Sequence, residues 1–144
     1  MQTLDLTPVA APSWIVRVMA APAIRWLALL GLCAAYLQGG LDKAFDFAGA
    51  INEMHHFGIS PAGPLVIATI VTELAASALI LSGYYRWFGA LWLAGFTLMA
   101  TFIANRFWEL PMPDRLMVEN GFFEHLGLVG GFVLVAWYDL RSPG

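Results

Sequence analysis

Hydrophobic side chains fall in four long blocks, at about 24–41, 64–83, 87–104 and 122–138, with polar residues gathered between them. Crossing a hydrocarbon core about 30 Å thick takes roughly 20 helical residues, and each block approaches that length. Leu, Ala, Gly and Phe fill the blocks without the alternation of apolar and polar positions that a transmembrane barrel needs. A spanning helix satisfies its own backbone hydrogen bonds, so the pattern predicts an all-α, integral membrane four-helix bundle. The third block holds no charged residue, whereas the fourth opens on Glu124 and His125.

Two short interfacial helices are predicted outside the spans. Ser13 is placed to cap a helix near the N-terminus, with Trp14, Ile15, Val18 and Met19 on one side, Arg17 facing outward and Pro22 ending it; a loosely ordered tail is the competing reading of this segment. In the first long loop, Phe47, Ile51 and Met54 recur at helical spacing. Gly58 and Pro61 stop that pattern, so a surface helix is expected over 45–57. The chain opens Met1-Gln2-Thr3-Leu4-Asp5 without the basic stretch of a cleavable signal, which predicts that the first span stays in the protein.

Four spans place both termini on one face and the long loops, 42–63 and 105–121, on the other. Arg17, Arg25, Arg86 and Arg141 fall to the terminal face and Lys43, Arg106 and Arg115 to the loop face, a balance that favours cytoplasmic termini. Aromatic belts agree with the spans: Trp26, Tyr84, Trp87, Trp137 and Tyr138 mark one boundary, and Phe107, Trp108, Phe122 and Phe123 the other. No repeat or low-complexity linker divides the chain, so a single membrane domain over 1–144 is expected.

Composition narrows the classes of function. The chain is 60% hydrophobic and 12% charged, against about 25% charged residues in an average globular domain. Its mean hydropathy is +0.72. A net charge of −3 with seven Lys plus Arg lacks the basic footprint of a nucleic-acid binder. The lone cysteine, Cys33, excludes an internal disulfide and a dithiol redox motif.

Glu73 is the most informative polar residue. It lies roughly 13 Å below the loop-side boundary of the second span at 1.5 Å per residue. A carboxylate at such depth costs about 2.5–3.5 kcal/mol on insertion scales, so it is expected to face the bundle interior, protonated or paired. It then either handles protons or a ligand, or fixes helix packing as a neutral carboxyl. Gln38, Asp42 and Lys43, Asn105 and Arg106, and Glu124 and His125 gather at the same end of the bundle. Lys43 or Arg106 is expected to snorkel to the boundary and pair with Glu124 or Glu119. Polar helix ends near water account for Lys43, Arg106 and Glu119 equally well, but not for Glu73.

His125 has the chemistry of a proton donor, a quinone hydrogen-bond partner or a metal ligand, and the competing reading is a structural hydrogen-bonded residue. Haem is disfavoured because only one histidine lies in a span. The adjacent His55 and His56 point in different directions on a helix. With Met54, Met112 and Met117 they give the loop face some soft-ligand character, but no dense ligand motif, and no metal site is predicted. Gly31, Ala35 and Gly39, and Gly127 with Gly131, favour close backbone approach within one chain or between copies.

The run Gly39-Gly40-Leu41-Asp42-Lys43, the Gly58-Ile59-Ser60-Pro61 turn, Glu73, the stretch from Ala100-Thr101-Phe102 to Phe107-Trp108, and Gly127 to Gly131 resemble the DoxX family over roughly residues 24 to 138. The resemblance implies a four-helix inner-membrane protein of the kind often found with oxidoreductases, including a membrane subunit associated with thiosulfate:quinone oxidoreductase. The family pattern carries His just before the Phe-Trp stretch, where this chain has Asn105, and Lys-Asn where it has Glu124-His125. His and Asn have exchanged helices, so Asn105 and His125 are expected to be in contact. Glu124 in place of Lys reverses the charge on which an inherited anion site would depend.

These residues lead to an accessory or quinone-interacting subunit of a membrane oxidoreductase. Glu73 would handle protons with His125, while Gln38, Lys43, Asn105, Arg106 and Glu124 would line the ligand site. The redox assignment, the possible quinone and the protein partner in a membrane redox complex come from the resemblance alone. The competing readings are a non-catalytic membrane anchor or assembly partner, and a handler of small solutes, lipid or copper; a homo-oligomer is compatible with each.

Overall fold

The computed structural model describes residues 11–141, and over these it is helical with no strand. The opening Met1–Asp5 stretch lies outside the described residues. Six helices follow in order: α1 (Ser13–Met19), α2 (Pro22–Phe45), α3 (Phe47–His56), α4 (Ala62–Ser82), α5 (Arg86–Ala104) and α6 (Asp114–Arg141), with a 3-10 turn at Phe107–Glu109. Four of them, α2, α4, α5 extended by the 3-10 turn, and α6, are long and apolar enough to cross a membrane.

The spans match the hydrophobic blocks, and their ends move for identifiable reasons. α2 continues past Leu41 to Phe45, which keeps Lys43 helical one turn above Gly39. α6 starts at Asp114 rather than near Phe122. Pro113 leads into it, the Asp114 carboxylate complements the N-terminal end of the helix dipole, and an Arg115–Glu119 pair at 3.3 Å bridges the first turns. The second loop therefore shrinks to 105–113. Gly83, at φ +84°, ends α4 in the left-handed conformation that glycine adopts without a Cβ penalty. Tyr85 takes a φ of 49° at the N-terminus of α5.

Both short helices form. In α3, Asp46 accepts a hydrogen bond from the Gly49 backbone N–H at 2.9 Å, capping the helix. α1 departs from expectation at both ends. Pro12, not Ser13, precedes its first helical residue, and no side chain caps it. Pro22 opens α2 instead of ending α1, because its missing N–H costs nothing in a first turn. Trp14, Val18 and Met19 are all at least half exposed, so among the described residues the apolar side of α1 has no protein partner. It is suited to a bilayer surface.

α4 packs between α2 and α5, α6 packs along α5, and α3 lies against the loop-side end of α4. α6 meets α2 sparingly, so the four spans form an arc with a narrow seam. Across that seam Tyr36 and Phe132 meet edge to face at 5.3 Å, and Gly131 lets Leu32 approach. The dry core (Leu29, Cys33, Ile80, Leu93, Phe132 and Ala136) occupies the terminal half. There α5 presses so closely on α4 that a Cβ at Gly89 would stand 2.7 Å from the Ala76 carbonyl oxygen. Small residues at such contacts supply the dispersion packing that holds helices together in lipid. Large apolar side chains such as Leu27, Ile67, Val71, Leu98 and Leu134 point outward. In water this would be an aggregating surface; in hydrocarbon it is the solvated one.

The terminal end is tied by Asp139 on α6. Its carboxylate accepts from the Trp87 backbone N–H at 3.1 Å and from the Arg86 guanidinium at 3.4 Å, while Arg86 Nε donates to the Ile80 carbonyl at 2.9 Å. An otherwise unsatisfied N–H at the start of α5 is thereby answered by an acid from its neighbour.

Candidate functional site

The loop half of the bundle holds a half-open cavity of about 430 Å³, walled by residues of α2 to α6. Leu65, Phe96, Met99 and Ile103 make it largely apolar. Besides the Thr69 hydroxyl and Glu53 at the outer edge, three polar stations interrupt the lining.

The first is Glu73, 7% exposed. Lys43 Nζ lies 3.3 Å from both carboxylate oxygens and donates a third bond to the Gly39 carbonyl at 3.3 Å. Glycine permits this pair. A Cβ at Gly40 would fall 2.8 Å from Leu74 Cδ2 and 3.3 Å from Glu73 Cβ, holding α2 away from α4. The pairing corrects the sequence expectation. Lys43 turns inward to Glu73 rather than snorkelling to Glu124 or Glu119, because an unpaired buried carboxylate is the costlier loss. Arg106 instead bonds Glu109 at 3.2 Å and the Ile103 carbonyl, and Glu119 pairs with Arg115.

The second station lies seven residues back along α2. Tyr36 and Thr97 hydroxyls are 2.5 Å apart, and Thr97 Oγ1 donates to the Leu93 carbonyl at 2.6 Å. With its one proton so used, the threonine accepts from Tyr36.

The third is His125. Its Nδ1 lies 2.9 Å from Asn105 Nδ2 and 2.7 Å from Thr101 Oγ1. The expected contact between Asn105 and His125 is therefore present. An amide nitrogen only donates, so Nδ1 accepts and the ring proton resides on Nε2. Among the described residues Nε2 has no hydrogen-bond partner, yet it is not sealed off: Ser77 Oγ is the only fully buried side-chain N or O there left unpartnered. That leaves an N–H donor without a partner on a ring that lines the cavity.

The other expected site residues are placed elsewhere. Gln38 is exposed, bonded to Asp42, and lines a second, outer chamber of about 340 Å³ rather than the inner cavity. Arg106 and Glu124 are exposed and line neither space. Asn105 stands behind His125 without forming part of the cavity wall. His55 and His56 are exposed on α3, and no group of three or more His, Cys, Asp or Glu among the described residues is close enough to share a metal ion.

Tyr36, Thr97 and Thr101 escaped the sequence reading, although their spacing carried a signal. Thr97, Thr101 and Asn105 recur every four residues on the otherwise apolar α5, a polar stripe that must face the interior. Tyr36 and Lys43 are two turns apart on one face of α2.

This is a multi-pass membrane protein whose buried polar groups converge on an apolar chamber. The DoxX family model matches residues 25–106, more than half of the sequence, and the chain belongs to the DoxX family. The match takes in Lys43, Glu73 and Asn105 but stops before α6, which carries His125. The inner membrane protein YphA of Escherichia coli (strain K12) is 22% identical over 125 residues, covering 87% of each chain. No solved structure gives a significant match.

Proposed function

We propose that this chain binds a small amphipathic molecule of the quinone class in the inner cavity and serves as an accessory or quinone-interacting subunit of an inner-membrane oxidoreductase system. One observation carries the reading: an apolar chamber bearing the Lys43–Glu73 pair and the free Nε2–H of His125 on different helices. Its volume falls within the roughly 300–1,000 Å³ of small-molecule sites, which are mostly apolar with a few placed polar groups. A quinone supplies two-electron, two-proton redox chemistry when bound. His125 Nε2 is a donor suited to one of its carbonyl oxygens, with Asn105 and Thr101 holding the imidazole in the tautomer that donates, and Lys43 Nζ becomes a second donor by giving up one of its three bonds to Glu73 and the Gly39 carbonyl. Glu73, the buried carboxylate of the cavity wall, handles protons there.

The inner-membrane placement follows the name of the relative YphA and the family, and the arginines of the terminal face favour cytoplasmic termini. The protein partner is a membrane redox enzyme, and the outward apolar faces meet lipid.

The test is direct binding of a short-chain quinone to the purified protein in nanodiscs. Glu73→Gln and His125→Ala are expected to weaken it, each at a station that touches the ligand. A protein that binds no quinone, with a Glu73→Gln variant that retains every activity of its complex, would leave the anchor reading in possession.

A further inference from the structure

The inner cavity and the outer chamber are adjacent, and two side chains, Lys43 and Glu53, belong to the walls of both. The outer chamber is otherwise hydrophilic, edged by Gln38, Asp42 and Asp46, and opens to loop-side water. Glu53 stands at the junction on α3, exposed, its carboxylate without a hydrogen bond or ion pair among the described residues. Lys43, with 19% of its side chain accessible, spans the partition toward Glu73, whose side chain is 9% accessible.

We propose that Glu53 is the relay through which protons from loop-side water reach Glu73, with the Lys43 ammonium as the movable partition between the two chambers. The route deepens the proposed site and rests on it only in giving Glu73 a proton to handle. The groups facing the inner cavity leave few alternatives. α2 contributes Lys43 and the Tyr36 hydroxyl, α3 contributes Glu53, α4 the Thr69 hydroxyl one turn before Glu73 itself, α5 only the Thr97 hydroxyl, and α6 His125. The Tyr36 and Thr97 protons are committed to each other and to the Leu93 carbonyl, and Nδ1 of His125 is held by Asn105 and Thr101. The remaining wall is hydrocarbon and carries no protons.

The step balances simply. A proton from water joins the Glu53 carboxylate and passes to Glu73. As Glu73 becomes neutral it releases the ammonium, which turns toward the acids of the outer chamber, and the return of Lys43 accompanies deprotonation. Lysine suits the role because its charge sits on a flexible stem with three rotatable donors.

Hydrogen–deuterium exchange of the Glu73 carboxyl tests the route, followed by infrared spectroscopy on the full chain in quinone-free lipid bilayers. The protonated C=O band is assigned by its loss in Glu73→Gln. Glu53→Gln is expected to slow its exchange about 100-fold, the low end of the range for a positioned proton-transfer group. Thermal unfolding of Glu53→Gln should match wild type, since position 53 is exposed and unpaired. Lys43→Gln, which removes the partition, is expected to speed exchange. Equal exchange rates in Glu53→Gln and wild type overturn the route, as does the absence of a Glu73-dependent band at every pH the folded protein tolerates. Because no quinone is present, failure of quinone binding and failure of the relay are separate results.

Discussion

Replacing Lys43 by Met tests the central electrostatic contact of the bundle. Lys43 and Glu73 have side chains 19% and 9% accessible, with Nζ 3.3 Å from both oxygens, so the pair is screened far less than one at the surface. Removing one member of a buried pair costs about 3–5 kcal/mol because the other is left uncompensated. The outer chamber gives partial hydration, which sets the expectation at the low end, about 3 kcal/mol or roughly a 100-fold loss in the folding constant. Glu73→Gln leaves an ammonium that can turn to the outer chamber, and is expected to cost only about 1 kcal/mol. The double variant carries no buried charge and should fall within about 1 kcal/mol of wild type, since neutral replacement of a buried pair is often tolerated. The assay is reversible unfolding in mixed micelles followed by tryptophan fluorescence, evaluated as a double-mutant cycle. If Lys43→Met stays within about 0.5 kcal/mol of wild type, as surface substitutions do, Lys43 is a solvated residue and the reasoning fails.

Three further outcomes are expected. Gly89→Ala should destabilise by about 1–3 kcal/mol, because its Cβ meets backbone, whereas Gly127→Ala, with open space around the Cβ, should be neutral or stabilising; thermal melts compare them. Asp139→Ala should cost about 1.5–3 kcal/mol by stranding Arg86 and the Trp87 N–H, read from the same melts, and an unchanged melting temperature would refute the tie. Nitrogen NMR of labelled His125 should show the Nε2–H tautomer in wild type and a shift toward mixed tautomers in Asn105→Leu; an Nδ1–H ring in wild type would reverse the assignment of donor and acceptor.

The hydrophobic blocks by themselves determined the four spans, because only a helix of about 20 apolar residues meets both the thickness of a bilayer and its intolerance of unpaired backbone groups. The inward turn of Glu73 and the Asn105–His125 contact were legible for related reasons: a charge buried in a span must find shelter, and an exchange of residue types between two helix ends keeps a pair in contact. The partner of Glu73 was not legible. Lys43 had acids available at the loop face, and only the glycine-permitted approach of α2 to α4 brought its ammonium to position 73. Helix rotation likewise decided that Arg106 and Glu124, close in sequence to Asn105 and His125, face away from the cavity. Asp139 became the tie for α5 through the same kind of long-range meeting. Sequence periodicity specifies which residues a helix must hide from lipid; which hidden groups meet depends on the rotation and spacing of neighbouring helices, and tertiary packing alone sets those.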